Sequence, residues 1–298
     1  MNDLFKAHAL LIASTLIAGF NLTLSKFVMP EYIQPSAIIV IRVLTSAIFF
    51  GLLHHIFIKE PIAFKDIKKI FPCALFGIAI NQLLFFEGLN LTAPINAALM
   101  MTTAPVLVLL ISSYMLKERI TLPKALGILL AATGAILLLL QSGTATGELF
   151  KGDLFVLINA ASWAVFLVIA KPLLQQYHAI TIIKWMFYLG FFMVLPFGVK
   201  DVGAINWGVI PTHALLSLGF IVLFATIGAY YLNVGVLRYV NPSVAGTYIY
   251  FQPVVASLIA VSFNQDTFTN EKILYSSLIV TGVYMVSHKR SQKAVKAK

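Results

Sequence analysis

Charge is what this sequence has least of. Of its 298 residues, 11% are Asp, Glu, Lys or Arg, against roughly 25% in ordinary soluble domains. Sixty per cent are hydrophobic, and the mean hydropathy is +0.92. A water-soluble globule of this length would lack the charge to wet its surface, so a soluble fold is excluded and lipid becomes the solvent for most of the chain. Cysteine is nearly absent: Cys73 stands alone, which rules out an intrachain disulfide and leaves no Cys cluster for structural zinc. There is no Walker-A loop, no dinucleotide-binding glycine fingerprint and no His-Glu-x-x-His motif, so neither a cofactor nor a metal is expected and nucleotide-driven pumping by this chain is not indicated. The adjacent His54 and His55 point to different sides of a helix and are placed at its cytoplasmic rim.

Long apolar runs are what the chain does have. A membrane-spanning helix needs about 20 apolar residues, and such runs fall near 8–29, 36–57, 71–91, 94–116, 123–141, 152–173, 181–199, 212–237, 242–263 and 272–288. A transmembrane barrel would show short strands of alternating polarity, whereas stretches such as Ala125 to Leu140 are apolar on every face. The expected fold class is therefore an all-α integral membrane protein with ten transmembrane helices. The first run follows Lys6 but is long and carries Asn21 and Thr23, so it is expected to remain as a helix rather than be cleaved as a signal peptide. No gap between runs is long enough for a soluble domain.

An even number of helices puts both ends on one side, and Lys/Arg counts in short loops choose that side. Fifteen of the 21 basic residues, among them Lys59, Lys65, Lys68, Lys69 and the tail from Lys289 to Lys298, fall on the face that holds the termini. Four (Lys26, Lys151, Lys200 and Lys272) fall on the other, and Arg42 and Lys184 lie within or at the lip of helices. Both termini are thus expected in the cytoplasm. The net charge of +10 is explained by loops facing anionic lipid, with no nucleic-acid partner expected.

Sliding the chain against itself by 148 residues brings Pro94 onto Pro242, Ala97 onto Ala245, Pro105 onto Pro253, Thr121 onto Thr269, Lys124 onto Lys272 and Thr133-Gly134 onto Thr281-Gly282 without a gap. Matched prolines and a matched Thr-Gly pair are more than apolar composition supplies, so the chain reads as a duplication. Residues 1–146 and 147–298 are the expected halves, the second ending in the basic tail. Five helices per half is an odd number, so the second copy enters the bilayer from the opposite face, related to the first by a pseudo-two-fold axis in the membrane plane.

The residues of these tracts resemble a known family. Phe86-Glu87-Gly88-Leu89, Thr92-Ala93-Pro94, Ala97-Ala98-Leu99, Pro105, Glu118-Arg119 and Gly127 with Gly134 are similar to the EamA-type half of the drug/metabolite transporter superfamily. Asn241-Pro242-Ser243-Val244-Ala245, Pro253 and Gly282 repeat the pattern, with a departure at Gln265-Asp266-Thr267, where such repeats usually keep Gly-Glu. The resemblance implies ten helices with cytoplasmic termini, a central cavity lined mainly by helices 1, 3, 4, 6, 8 and 9, and transport of a small metabolite, with export as the direction.

Polar side chains at helical spacing nominate the walls of that cavity. Thr226, Tyr230 and Asn233 share one face of the eighth run, Tyr248 and Gln252 one face of the ninth, Asn159 and Trp163 one face of the sixth, and Asn21 and Ser25 one face of the first; Asn81 and Gln82 add an amide pair in the third. Interhelical hydrogen bonding without a ligand is the plainer use of any single one of them. Arg42 lies about six residues, or roughly 9 Å, inside the second run from its outer end, at a level with Glu87 and Lys26. It serves either a substrate carboxylate or a coupling proton or other ion, or it makes a structural bridge to Glu87 with Lys26 snorkelling; the bridge is preferred. Lys171 and Lys184 are placed at a solvated rim. Pro105 and Pro253 break their helices at matched depth and free the carbonyls of Met101 and Ile249. The stripe Gly127, Ala131 and Ala135 fits packing within the bundle, with a homodimer interface as the alternative to a monomer.

These features point to a secondary transporter in a bacterial cytoplasmic (inner) membrane, moving an amino acid or similar amphipathic solute by alternating access. A membrane-embedded lipid-handling protein or enzyme would need an acid, base or metal set, for which only Glu87 and the loop acids are at hand; a non-transporting scaffold is the third reading. Reporter fusions after Lys298 and within 58–70 should both read cytoplasmic, and a fusion within 143–152 external; a cytoplasmic signal from 143–152 would overturn the inverted duplication.

Overall fold

The computed structural model describes residues 3–116, 121–141, 147–237 and 269–287, with the single positions 239, 249, 252, 255, 259 and 262. Among the described residues there are helices and turns and no strand. The helices are α1 (Asp3–Val28), α2 (Pro35–Leu53), α3 (Phe64–Leu91), α4 in two pieces (Pro94–Met101 and Ala104–Leu116), α5 (Leu122–Gln141), α6 (Glu148–Leu174), α7 (Ala179–Gly203), α8 (Thr212–Val236) and α9 (Asn270–Ser287). Seven helical stretches are long and apolar enough to cross a membrane, and the shorter apolar helices Ala125–Leu137 and Ile273–Gly282 lie within α5 and α9. Every expected run but one coincides with a helix; 242–263 lies largely outside the described residues, as do Pro242, Tyr248 and Pro253.

Local chemistry sets the ends. Pro35 and Pro94 open α2 and α4 at the first helical turn, where a missing N–H costs nothing. The helical path of α2 runs on through a π turn at His54–Ile58 and stops at Lys59, whose left-handed backbone (φ 51°) returns its N–H to His54 O. Two further π turns interrupt helices from within, at Leu75–Ala79 in α3 and at Leu223–Gly228 in α8. Both start on a Leu-Phe pair, and the starts are offset by the same 148 residues as the sequence repeat. In α4 the break comes at Thr102 and Thr103, just before Pro105; their hydroxyls donate to Leu99 O (2.6 Å) and Met100 O (2.7 Å).

The helix pairs follow the duplication. α5 packs on α9, α2 on α7, α3 on α6 and α1 on α8. Exchanging the halves by the 148-residue offset turns α2–α7 and α5–α9 into themselves and turns α3–α6 into α8–α1. In the first two pairs each helix therefore packs on its own repeat equivalent, and the other two pairs are repeat equivalents of each other.

Small residues make the α5–α9 contact close. Ala131 and Ala135 are buried, with Gly127, against α9. A Cβ on Gly134 would meet Tyr275 O and Ile279 Cγ1 at 2.8 Å, and one on the repeat-equivalent Gly282 would meet the backbone of Gly127 and Ala131. The small-residue stripe is thus used inside the bundle. Gly282→Val should cost about 1–3 kcal/mol through overpacking, read as a lower thermal unfolding temperature in detergent, while Val280→Ala on the exposed side of the same helix leaves that temperature unchanged.

Candidate functional site

The π turns explain why polar side chains gather at the centre. A wide turn pairs an N–H with the carbonyl five residues back and leaves the carbonyl four back without its usual donor. Ile80 N–H goes to Leu75 O, and Phe76 O accepts instead from Ser162 Oγ of α6 (2.6 Å). In α8, Ala229 N–H goes to Phe224 O, and Ala225 O accepts from Arg42 Nη2 of α2 (3.1 Å). Gly77 O, in the first of these turns, takes the hydroxyl of Tyr230. That same hydroxyl accepts from Gln82 Nε2 (2.9 Å), and Gln82 and Tyr230 are repeat-equivalent, so the bond joins the two halves at matched positions.

A cavity of about 130 Å³ lies among these groups. Its wall includes Asn21 of α1, Arg42 of α2, Asn81 and Gln82 of α3, Asn159 and Trp163 of α6, Tyr230 and Asn233 of α8, and Gln252. Nine residues singled out from the sequence are therefore brought together, and Met101 and Ile249, the positions whose carbonyls the two prolines were expected to free, also line it. Neither Glu87 nor Pro105 is part of the wall. Arg42 adds α2 to the helices that the family resemblance implied.

Most of the wall is already bonded. Asn159 Nδ2 donates to Asn81 O (2.7 Å), Asn233 Nδ2 donates to Ser14 Oγ of α1 (2.6 Å), and Ser25 Oγ donates to Asn21 Oδ1 (3.2 Å). The Trp163 ring meets Tyr230 edge-on, with centroids 5.9 Å apart, and leans on Phe166 at 4.9 Å. Two wall atoms remain buried and without a partner, Arg42 Nη1 and Asn159 Oδ1.

Arg42 is 2% exposed. Its Nε donates to Thr226 Oγ1 (2.5 Å), and the guanidinium stacks over Phe86 at 4.5 Å from the ring centroid. Thr226 is free to accept because its own hydroxyl proton goes to Ile221 O (2.8 Å) inside the π turn. The expected bridge to Glu87 is not formed: no ion pair joins the two, and Glu87 lies instead within electrostatic reach of Asp201, which accepts from Ser36 Oγ. Arg42 donates to a freed carbonyl and a threonine hydroxyl where the sequence suggested a carboxylate. Lys26 Nζ donates to Leu89 O (3.1 Å) and Asn90 O (2.6 Å) at the end of α3.

Asp153, not singled out from the sequence, is completely buried in α6. Its carboxylate accepts from Thr92 Oγ1 and from Asn96 Nδ2 (3.2 Å), beside the start of α4, where a negative charge complements the helix dipole. The signal available in the sequence was the acid one residue after Gly152, a glycine so close to Gly88 that a Cβ would meet its carbonyl at 2.9 Å.

At the other end, Glu60 accepts from His178 N–H (2.9 Å) and Thr181 Oγ1 (2.6 Å). Asp66 accepts from Tyr177 Oη (2.7 Å), and that bond holds the Tyr177 phenol above its usual pKa. Lys184 approaches His54 Nδ1 at 3.5 Å and lies over the Trp185 ring at 5.0 Å, and His54 is 7% exposed. The rim expected here to be solvated is instead a polar seam between the α2–α3 connection and the α6–α7 connection. Among the described residues no group of three His, Cys, Asp or Glu could hold a metal ion.

A multi-pass, all-helical membrane protein with a polar cavity between two related halves is the class defined by this fold and site. The sequence profile of the EamA-like transporter family matches residues 5–140 and again 150–288, so the chain belongs to that family, with two copies of its domain. It is 25% identical to an uncharacterized transporter of Archaeoglobus fulgidus over 87% of this chain and 91% of that one. It is 23% identical to the uncharacterized transporter YyaM of Bacillus subtilis (94% and 93% covered) and 23% identical to the WAT1-related protein At3g18200 of Arabidopsis thaliana (90% and 75% covered). A solved crystal structure shares the fold at a TM-score of 0.67 and 17% identity, over 94% of this chain and 96% of that one.

If Arg42 is anchored to α8 rather than to Glu87, stability effects of Arg42→Ala and Glu87→Gln should add within about 0.5 kcal/mol. Arg42→Ala combined with Thr226→Val should depart from additivity by about 1 kcal/mol or more. Thermal unfolding of the two double-mutant cycles in detergent measures both.

Proposed function

We propose that this chain is a secondary active transporter that carries a small amphipathic metabolite of amino-acid size across a bacterial cytoplasmic membrane by alternating access, in the direction of export. The two domain copies, residues 1–146 and 147–298, act as inverted repeats with both termini in the cytoplasm, and the cavity at their junction is the substrate site.

The convergence of polar side chains from both halves on one cavity is the observation that carries this reading. Inverted repeats can adopt two conformations of similar energy, open to opposite sides of the membrane around one central site. Neutral hydrogen-bonding groups beside the Trp163 and Tyr230 rings suit a solute with an apolar body and a few polar groups. A cavity of about 130 Å³ is below the roughly 300–1,000 Å³ of sites for drug-sized ligands, which favours a small metabolite. Family membership and the names of the relatives support transport over catalysis.

Gln252 is 5% exposed and lines the cavity, so it reports on access from water. In protein with Cys73→Ala, the variant Gln252→Cys should react with a small polar thiol reagent, and a transported solute should slow that reaction. The purified protein in lipid vesicles should carry the same solute down its gradient. Absence of labelling under conditions that support flux would remove this cavity from the pathway, and absence of flux for every amino acid, hydroxy acid and sugar tried would overturn the transporter reading.

A further inference from the structure

Two buried atoms of the cavity wall lack a hydrogen-bond partner, and those two atoms describe a ligand. Arg42 Nη1 and Asn159 Oδ1 are both buried, both belong to residues of the wall, and neither has a hydrogen-bond partner. Their orientations are fixed by the bonds their other atoms make. Nε and Nη2 of Arg42 are held by Thr226 and Ala225 O, and Nδ2 of Asn159 is held by Asn81 O. The site therefore offers one fixed cationic donor and one fixed neutral acceptor.

Arg42 is also alone as a charge. Among the described residues no Asp, Glu or Lys lines the cavity, and the stretch from Tyr239 to Gln265, parts of which reach the wall through Ile249 and Gln252, contains no Asp, Glu, Lys or Arg at all. A buried cation without a counter-ion is costly in a membrane, and a carboxylate is the group whose geometry and charge a guanidinium meets best.

From these observations we infer that the cavity takes a solute of net charge −1 whose single carboxylate binds Arg42 Nη1 and whose neighbouring hydroxyl or amide N–H donates to Asn159 Oδ1. The inference rests on reading the cavity as the transport site and narrows the class of solute. A polyanion exceeds the single positive charge. A zwitterion brings an ammonium group into a cavity whose one ionised side chain among the described residues is already a cation, with neutral oxygens alone to receive it. The monoanion neutralises Arg42 and leaves no charge over.

Small probes of one skeleton test this on the full-length protein. Labelling of Gln252→Cys (with Cys73→Ala) is followed in the presence of glycolate (an anion with a hydroxyl), acetate (an anion without one), glycine (a zwitterion), glycolamide (neutral) and methylammonium (a cation), all at equal millimolar concentration and with chloride holding ionic strength constant. Glycolate should slow labelling several-fold, acetate less, glycine less still, and glycolamide and methylammonium not at all. Arg42→Gln keeps a donor for Thr226 and removes the charge; it should erase the difference between glycolate and glycolamide while the protein still labels at position 252. Asn159→Leu should bring glycolate down to the level of acetate. Equal protection by glycine and glycolate, protection by glycolamide, no protection by any probe, or glycolate protection that survives Arg42→Gln would each overturn the inference. If position 252 labels and the vesicles carry neutral or zwitterionic solutes, the transporter stands and the monoanion assignment falls; if position 252 never labels, the reading of the cavity itself has failed.

Discussion

A carbonyl released from its helix inside a bilayer has no water to turn to, and the donor it requires must come from the protein. The π turns of α3 and α8 release two such carbonyls, at Phe76 and Ala225, and the bundle answers each with a side chain from the opposite half: Ser162 of α6 closes the turn in α3, and Arg42 of α2 closes the turn in α8. The debt is reciprocal, and so is the bond between the halves. Polar residues are drawn into the bundle to complete backbone geometry, and the space they leave among themselves is the cavity.

The pairs made of repeat-equivalent helices are tied differently from the other two pairs. α5 and α9 approach through Gly134 and Gly282, which leave no room for a side chain between the backbones. α2 and α7 are linked near both ends, by Thr181 to Glu60 on one side and Ser36 to Asp201 on the other, with Phe50 stacked on Phe187 between them at 5.7 Å. The α3–α6 and α1–α8 pairs carry the π turns and most of the cavity wall. The Gln82–Tyr230 bond joins two positions that exchange with each other when the halves are exchanged.

The runs of apolar residues, their number of faces and the repeat offset were legible because lipid punishes any exception, and a polar residue inside a run has to be there for a partner. The same rule made Asn21, Asn81, Gln82, Asn159, Trp163, Tyr230, Asn233 and Gln252 stand out, and all of them line the cavity. What each one bonds was not legible. Leu75-Phe76-Gly77-Ile78-Ala79 has nothing in its composition to mark a π turn, so the carbonyls it frees were invisible, and Arg42 was matched to Glu87 by depth when its partners were Thr226 and a backbone oxygen. Depth along a helix can be counted from the sequence; the side of the helix on which a neighbour waits cannot. Asp153 was missed for the same reason, since its partners Thr92 and Asn96 lie some 60 positions away in the chain.

The two halves share their turns and their pairing, but they do not share their charge. The position equivalent to Arg42 in the second half is Gly190, packed against Ile78. A symmetric scaffold thus holds an asymmetric electrical load, and any rearrangement that carries Arg42 along the membrane normal moves that load through the transmembrane field. One elementary charge crossing the whole of a 100 mV potential is worth about 2.3 kcal/mol, and a fraction of that distance is worth the same fraction. In the proposed alternating-access cycle voltage would therefore weight the conformations of the cargo-free protein unequally, and the proposed monoanion, by cancelling the charge of Arg42, would remove the weighting.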